Sequence, residues 1–145
     1  MTAAQHYAAI VARLNYGILN GKVDEVIRMT TGTNPEAVRA NYVVVNMPMP
    51  DLRDRRLTAP QHADDFAVYD VDVRSVAVDR GGCMLFAQTV RDRLLGYSVD
   101  VPGRVCTPIN LIPPVEEGQV MWDRVTRLFY IDESFKFTSN VAPSP

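Results

Sequence analysis

Hydrophobic and polar residues alternate most regularly between Phe66 and Val78. Ala67, Tyr69, Val71 and Val73 fall on one side, and Val68, Asp70, Asp72 and Arg74 on the other. That period of two predicts a strand with one core face and one wet face. A slip of one residue would bury Asp70 and Asp72, so the register is well specified. The period then lengthens. From Asp79 to Gly96, Cys83, Ala87, Val90 and Leu94 recur at helical spacing with Phe86 beside them, while Gln88, Arg91 and Asp92 lie outside the stripe. Asp79 is placed to cap this helix and Gly96 to end it. An earlier helix is predicted over Thr2 to Asn15, with Thr2 as its cap and Gly17 as its stop. Its stripe of Tyr7, Ile10, Val11, Leu14 and Ile18 predicts packing on a sheet.

The remaining segments carry weaker patterns. Asn41 to Asn46, with Val43, Val44 and Val45 behind Tyr42, reads as a strand buried on both faces near the middle of the sheet. After the Asn20-Gly21 turn, VDEVIRM fits either a short helix or an irregular strand. Gly32 to Pro35 reads as a turn, and Glu36 to Arg39 as a further helical turn. Arg104 to Ile112 reads as a strand, and Pro108 inside it implies an edge or a bulge. Pro113 to Gly118 is a loop. Asp123 to Asp132 reads as one strand, with Val125, Phe129 and Ile131 on one face beside Arg127, and Leu128 and Tyr130 on the other beside Arg124 and Thr126. Both faces are partly apolar, so one is expected against a helix and the other against a neighbouring subunit. Ser134 to Thr138 extends this strand, or pairs back on it after a bend at Asp132-Glu133. The whole predicts a single α+β domain over residues 1–138, a small mixed or antiparallel sheet with helices packed on one face, followed by an extended or disordered tail over 139–145.

Composition narrows the chemistry. The 145 residues are 47% apolar and 22% charged, enough for one domain with a real core. A net charge of -2 gives no global basic field for sequence-specific nucleic-acid binding, although a protein that only lets DNA pass needs none. The N-terminus lacks a basic segment followed by an apolar core, so no secretory leader is expected, and no run approaches the roughly 18 apolar residues of a membrane span. Cys83 and Cys106 form no CxxC, and His6 and His62 are far apart. The cysteines are expected to be reduced, buried thiols, so no metal site is predicted. Cys83 stands near a helix start, where a thiolate is favoured, but packing on the helix stripe is the simpler reading. Arg80-Gly81-Gly82 is no phosphate loop, since neither GxxxxGK[ST] nor GxGxxG is present. Adjacent carboxylates such as Asp64 and Asp65 point apart in extended chain. Asp70 and Asp72 share a face but lack the further oxygen ligands a calcium ion takes. Ser75, Ser98 and Ser134 have no nucleophile-elbow context. No catalytic residue, cofactor or enzymatic activity is expected.

The stretch that this reading leaves over is Asn46 to Asp65, with three prolines and the compact cluster Arg53-Asp54-Arg55-Arg56. A connection of this length inside a compact domain is uncommon, and is usually functional or disordered. The cluster is too short, and too balanced by Asp51 and Asp54, to be a nucleic-acid arm, and no aromatics interleave with it for base stacking. A charged loop that meets a complementary protein surface is the preferred reading, with a solvated loop as the plain alternative.

The order of segments resembles the tail terminator (tail-completion) proteins of long-tailed bacteriophages, especially those infecting actinobacteria. The resemblance is carried by the strand–helix unit Phe66–Gly96, ending in VRDRLLG, and by a terminal strand that begins at Trp122-Asp123. It spans about Ala3 to Thr138. It implies a subunit of a homomeric ring, expected to be a hexamer, at the head–tail junction of a virion made in the host cytoplasm. Such a ring sits on the last ring of tail tube protein, stops tube growth and offers a docking surface to the head-side connector protein. Viral DNA would be passing cargo, and no membrane is involved. Arg53, Asp54, Arg55, Arg56, Arg124, Leu128 and Tyr130 are the expected interface residues. Another connector subunit, such as a stopper, is the nearest alternative. A small ligand-binding or enzymatic domain using the Asp70/Asp72 face, and a DNA binder led by Arg53, Arg55 and Arg56, are more distant ones. Deleting Leu52–Thr58 is expected to leave a folded subunit that fails to assemble. Circular dichroism together with a sizing measurement checks this, and an unfolded deletion variant would place the segment in the core.

Overall fold

Each predicted strand must find hydrogen-bond partners for its backbone, and the computed structural model, which describes residues 2–50, 66–112 and 119–142, shows how they are found. The helices are α1 (Thr2–Leu14) and α2 (Arg80–Leu94). The strands are β1 (Val23–Asp24), β2 (Tyr42–Asn46), β3 (Phe66–Ala77), β4 (Arg104–Cys106), β5 (Asn110–Ile112), β6 (Met121–Asp123) and β7 (Leu128–Val141). They form one mixed sheet in the order β1-β2-β3-β7-β4, with β5 and β6 also on β7. β1 and β2 run parallel, and the other pairs are antiparallel. The fold is α+β, as the residue pattern predicts. The interface cluster expected at Arg53 to Arg56 lies outside the described residues.

The β3–β7 ladder is the spine. It runs unbroken from the pair Phe66–Asn140 to the pair Ala77–Phe129. Because paired residues share a face, Ala67, Tyr69, Val71 and Val73 lie beside Ser139, Phe137, Phe135 and Glu133. Both helices pack on this face. Ile10 and Leu14 of α1 and Phe86, Val90 and Leu94 of α2 join Tyr69, Val71, Phe135 and Phe137 in the main core. A second cluster sets Cys83 and Ala87 of α2 against Ala77 and Ile131. The predicted α2 stripe is buried as expected, and Asp79 caps the helix by accepting from the Gly82 N–H. The cap expected at Thr2 lies outside the described side chains.

Arginines close the helix ends, where the last carbonyls have no helical partner. Arg93 Nη1 donates to the carbonyls of Leu14 and Tyr16, at 2.6 Å each, and its guanidinium lies 3.7 Å over the Tyr16 ring. Arg13 Nε donates in turn to the Arg93 carbonyl at 2.9 Å. The chain then reverses at Gly17, whose φ of 60° favours glycine, and where a Cβ would meet Arg93 Nη2 at 2.8 Å. This reversal ends the α1 stripe one turn early. Ile18 is exposed, and Leu19, on a 3₁₀ turn, is buried instead.

Other boundaries also differ from the sequence reading. Residues 104–112 split at Thr107-Pro108-Ile109 into β4 and β5, both laid along the outer side of β7, so Pro108 sits at an edge. Glu36 to Arg39 is not a helical turn. Ala37 bridges Met29, and the Val38 N–H donates to the Arg28 carbonyl at 2.9 Å, which folds this segment back as a β-like loop. The segment Asp123–Asp132 is not one strand but the end of β6, a turn, and the start of β7. β7 passes through Asp132-Glu133 without folding back on itself and takes in Ser139, Asn140 and Val141, which the sequence reading assigns to the tail. The face opposite the helices is not wholly wet: Tyr42, Val76 and Leu128 form a third buried cluster there.

Phe135 is fully buried at the middle of the β3–β7 ladder, paired with Val71. Phe135→Ala is expected to lower unfolding free energy by about 3–5 kcal/mol, measured by urea denaturation.

Candidate assembly surface

The β6–β7 turn is built by one side chain. Asp123 Oδ1 accepts from the Val125 N–H at 2.9 Å, and the Arg127 N–H donates to the Asp123 carbonyl at 2.9 Å. The hydrogen bond from Val125 is the main cause that holds the exposed Asp123 carboxyl below the usual range. Arg127 takes a φ of 57°, the left-handed region that non-glycine residues rarely adopt. The result is an ordered tip that leaves Val125 92% exposed between Arg124 and Arg127.

The segment after β1 lies across from this tip. The Arg28 N–H donates to the hydroxyl of fully buried Tyr42 at 3.2 Å, and the Arg28 guanidinium lies 5.0 Å over the Tyr42 ring while pairing with Asp24. The Thr30 N–H donates to the Glu36 carbonyl at 2.7 Å, and the Glu36 N–H to Thr30 Oγ1 at 2.9 Å. Between this loop and the tip is a groove of about 630 Å³. Ile27, Met29, Pro35 and Ala37 line one wall, Val125 and Arg127 the other, and Arg39 adds a second exposed cation.

The groove opens onto the sheet face away from the helices. There Arg74 makes a two-pronged ion pair with Asp132, at 2.7 and 2.9 Å, and lies 4.4 Å over the Tyr130 ring. Asp72 accepts from the Ser134 hydroxyl at 2.7 Å, and Lys136 stands 3.7 Å from Asp70. Asp72 is thus held by a β7 hydroxyl, and Asp70 faces the Lys136 ammonium without a hydrogen bond to its Oδ1.

The sequence-predicted interface residues separate. Arg124 is in the exposed turn, not on a strand. Leu128 is 2% exposed and belongs to the chain's own third cluster, and Tyr130 is half-buried beneath Arg74. Val125 was expected on a strand face with Phe129 and Ile131, and it stands at the tip instead. Sequence reasoning missed Met29, Ala37 and Arg39 as partners of that tip. The one available signal was Asp123 two residues before Val125, an Asx-turn spacing.

The buried polar groups have structural employment. His6, at α-helical spacing from Ile10 and Leu14, is fully buried. Its ring stacks 4.3 Å from Tyr69, and its Nε2 lies 2.8 Å from Ser139 Oγ and 3.7 Å from Cys106 Sγ. Arg104 Nε donates to the same Ser139 Oγ at 2.9 Å, and Nη2 to the Ser139 carbonyl at 2.8 Å. Glu133 is buried on the helix face and pairs with Arg91 of α2. Burial raises its carboxyl above the ordinary value, against the pull of Arg91. Its contribution to stability is therefore greatest below the unfolded-state pKa and is lost as pH rises through the folded-state value. The Cys83 Sγ donates to the Ser75 carbonyl at 3.3 Å, and burial pushes the thiol up to about 11. That suits a core residue and not a nucleophile.

Among solved structures, the chain is similar to one from the virion of a native gene transfer agent (GTA) particle. The two share a TM-score of 0.66 and 15% identity over 95% of each chain. At that identity the likeness establishes a shared fold. No protein-family model matches the chain, and no curated protein matches it.

Cys106 is partly buried and Cys83 is fully buried. In the native protein at pH 8, a thiol reagent is expected to label Cys106 at least ten-fold faster than Cys83, with Cys83 reacting at the rate of unfolding. Mass-spectrometric labelling checks the order.

Proposed function

We propose that this chain is a structural protein of a phage-like virion, and within it a tail terminator subunit. The observation that carries the reading is the fold likeness, over nearly the full length of both chains, to a component of a gene transfer agent virion. On this reading several copies, expected to be six, close into a ring on the last ring of tail tube protein, stop tube growth and present a docking surface to the head-side connector. DNA passes through the ring as cargo, and the chain acts at the head–tail junction by binding alone, without enzymatic chemistry. The segment order that resembles tail terminators supports the finer assignment. So does the ordered tip at Arg124 and Val125, a feature suited to protein contact. Head-to-tail contacts between identical subunits close into rings when the rotation permits.

Native mass spectrometry of the purified protein, combined with its position in particle images, tests the proposal. A ring of about six 16.2 kDa subunits located at the tube's head-proximal end is the expected result. Addition of the protein to polymerising tube protein is expected to arrest growth. Capping of filled heads without arrest would assign a stopper role, and a monomer that never enters particles would overturn the reading.

A further inference from the structure

The ring reading leaves open which surfaces of the subunit meet, and two exposed surfaces on opposite sides of the sheet answer to each other. The first is the outward side of α2. Cys83, Phe86, Ala87, Val90 and Leu94 turn inward, which leaves Leu85, Gln88, Asp92 and Leu95 along one exposed stripe with Met84 beside it. Met84 and Leu85 are 54% and 56% exposed, an unusual pair to leave in water. The Asp92 carboxylate accepts from Gln88 Nε2 at 2.8 Å, which holds a negative charge at the stripe's far end.

The second surface is the groove between the 27–39 loop and the β6–β7 tip. Its walls are mostly apolar, and two exposed arginines, Arg39 and Arg127, line it together with Glu36. Among the described residues neither arginine makes an ion pair. The groove is on the open face of the sheet and α2 is on the other, so one copy cannot bring its own stripe to its own groove. We infer that the α2 stripe of one copy seats in the groove of the next, with Asp92 facing the arginine border. This inference rests on the ring reading above and names its subunit contact. The occupant is a second copy because the stripe supplies an apolar ridge to fill the groove and a carboxylate for the second of its two arginines, which Glu36 alone cannot balance. The Asx turn at Asp123 fixes the tip before binding, so little conformational freedom is lost there when the contact forms. Using two different surfaces makes the contact heterologous, the kind that builds rings.

The contact can be split between two variants, each on an exposed position that leaves the core intact. Val125→Glu blocks the groove, with Arg39→Glu as a second groove variant, and Leu85→Lys blocks the stripe. Circular dichroism confirms folding, and native mass spectrometry reads assembly. Each variant alone is expected to be monomeric at concentrations where the unaltered chain forms its oligomer, a loss of at least ten-fold in association. Mixed one to one, Val125→Glu and Leu85→Lys are expected to give a dimer containing one of each, because one intact groove and one intact stripe remain. An unaltered chain that oligomerises, with variants that still form the same oligomer, or that fail to pair on mixing, would overturn this contact and leave the ring standing. An unaltered chain that stays monomeric and never enters particles would remove the ring and the contact together.

Discussion

Everything in this structure depends on the pairing of β3 with β7. Twelve consecutive residue pairs place Tyr69, Val71, Phe135 and Phe137 in one continuous apolar surface, and both helices find their burial on it. β7 also carries, on its other side, all three short strands β4, β5 and β6. These are too short to be stable as independent elements, and they are ordered because β7 offers them a formed edge. Taking β7 away would leave β3 with one sheet neighbour and α2 without the side of its pocket that Ile131 supplies.

The core is not wholly apolar, and its polar members serve as joints. His6 joins α1 to Ser139, Arg104 ties β4 to the same serine, and Glu133 meets Arg91 of α2. Such groups stabilise only when their partners are present, because an unpaired buried charge or donor is costly. Their effect is to make the positions of α1, β4 and α2 on the sheet specific and not merely favourable. Arg93 and Arg13 do the same between the helix ends.

The sequence pattern showed the spine and its main helix clearly, because period two and period 3.6 are strong where one side is buried. β3 and α2 were readable almost to the residue, and the buried faces of β2 followed from its valine triplet. What stayed hidden depended on turn chemistry. Val125 is β-branched and lies among apolar neighbours, so it counts as strand, and Arg127 is not a residue that announces a left-handed turn. The tip was therefore folded into a single long strand, and the groove it borders was lost with it. Glu36 to Arg39 failed for a related reason: the Thr30–Glu36 backbone contact that closes that loop spans residues with little local preference. The end of β7 was missed because the proline-rich tail suggested an earlier stop, although Phe135, Phe137 and Ser139 continue the alternation.

The late position of β7 sets the order in which this chain can fold. β3 is made early, yet Phe66 waits for Asn140 and Ala77 for Phe129. Until those residues leave the ribosome, β3 is an apolar strand with one edge bare, and the α2 residues that should cover Ile131 have nothing to cover. Contacts so distant in sequence close slowly, since the loop entropy is lost before any pairing compensates for it. The growing chain thus passes through an interval in which its stickiest strand is unprotected and exposed to wrong pairing. The sheet is complete only when the 14-residue β7 pairs with β3 on one side and with β4, β5 and β6 on the other.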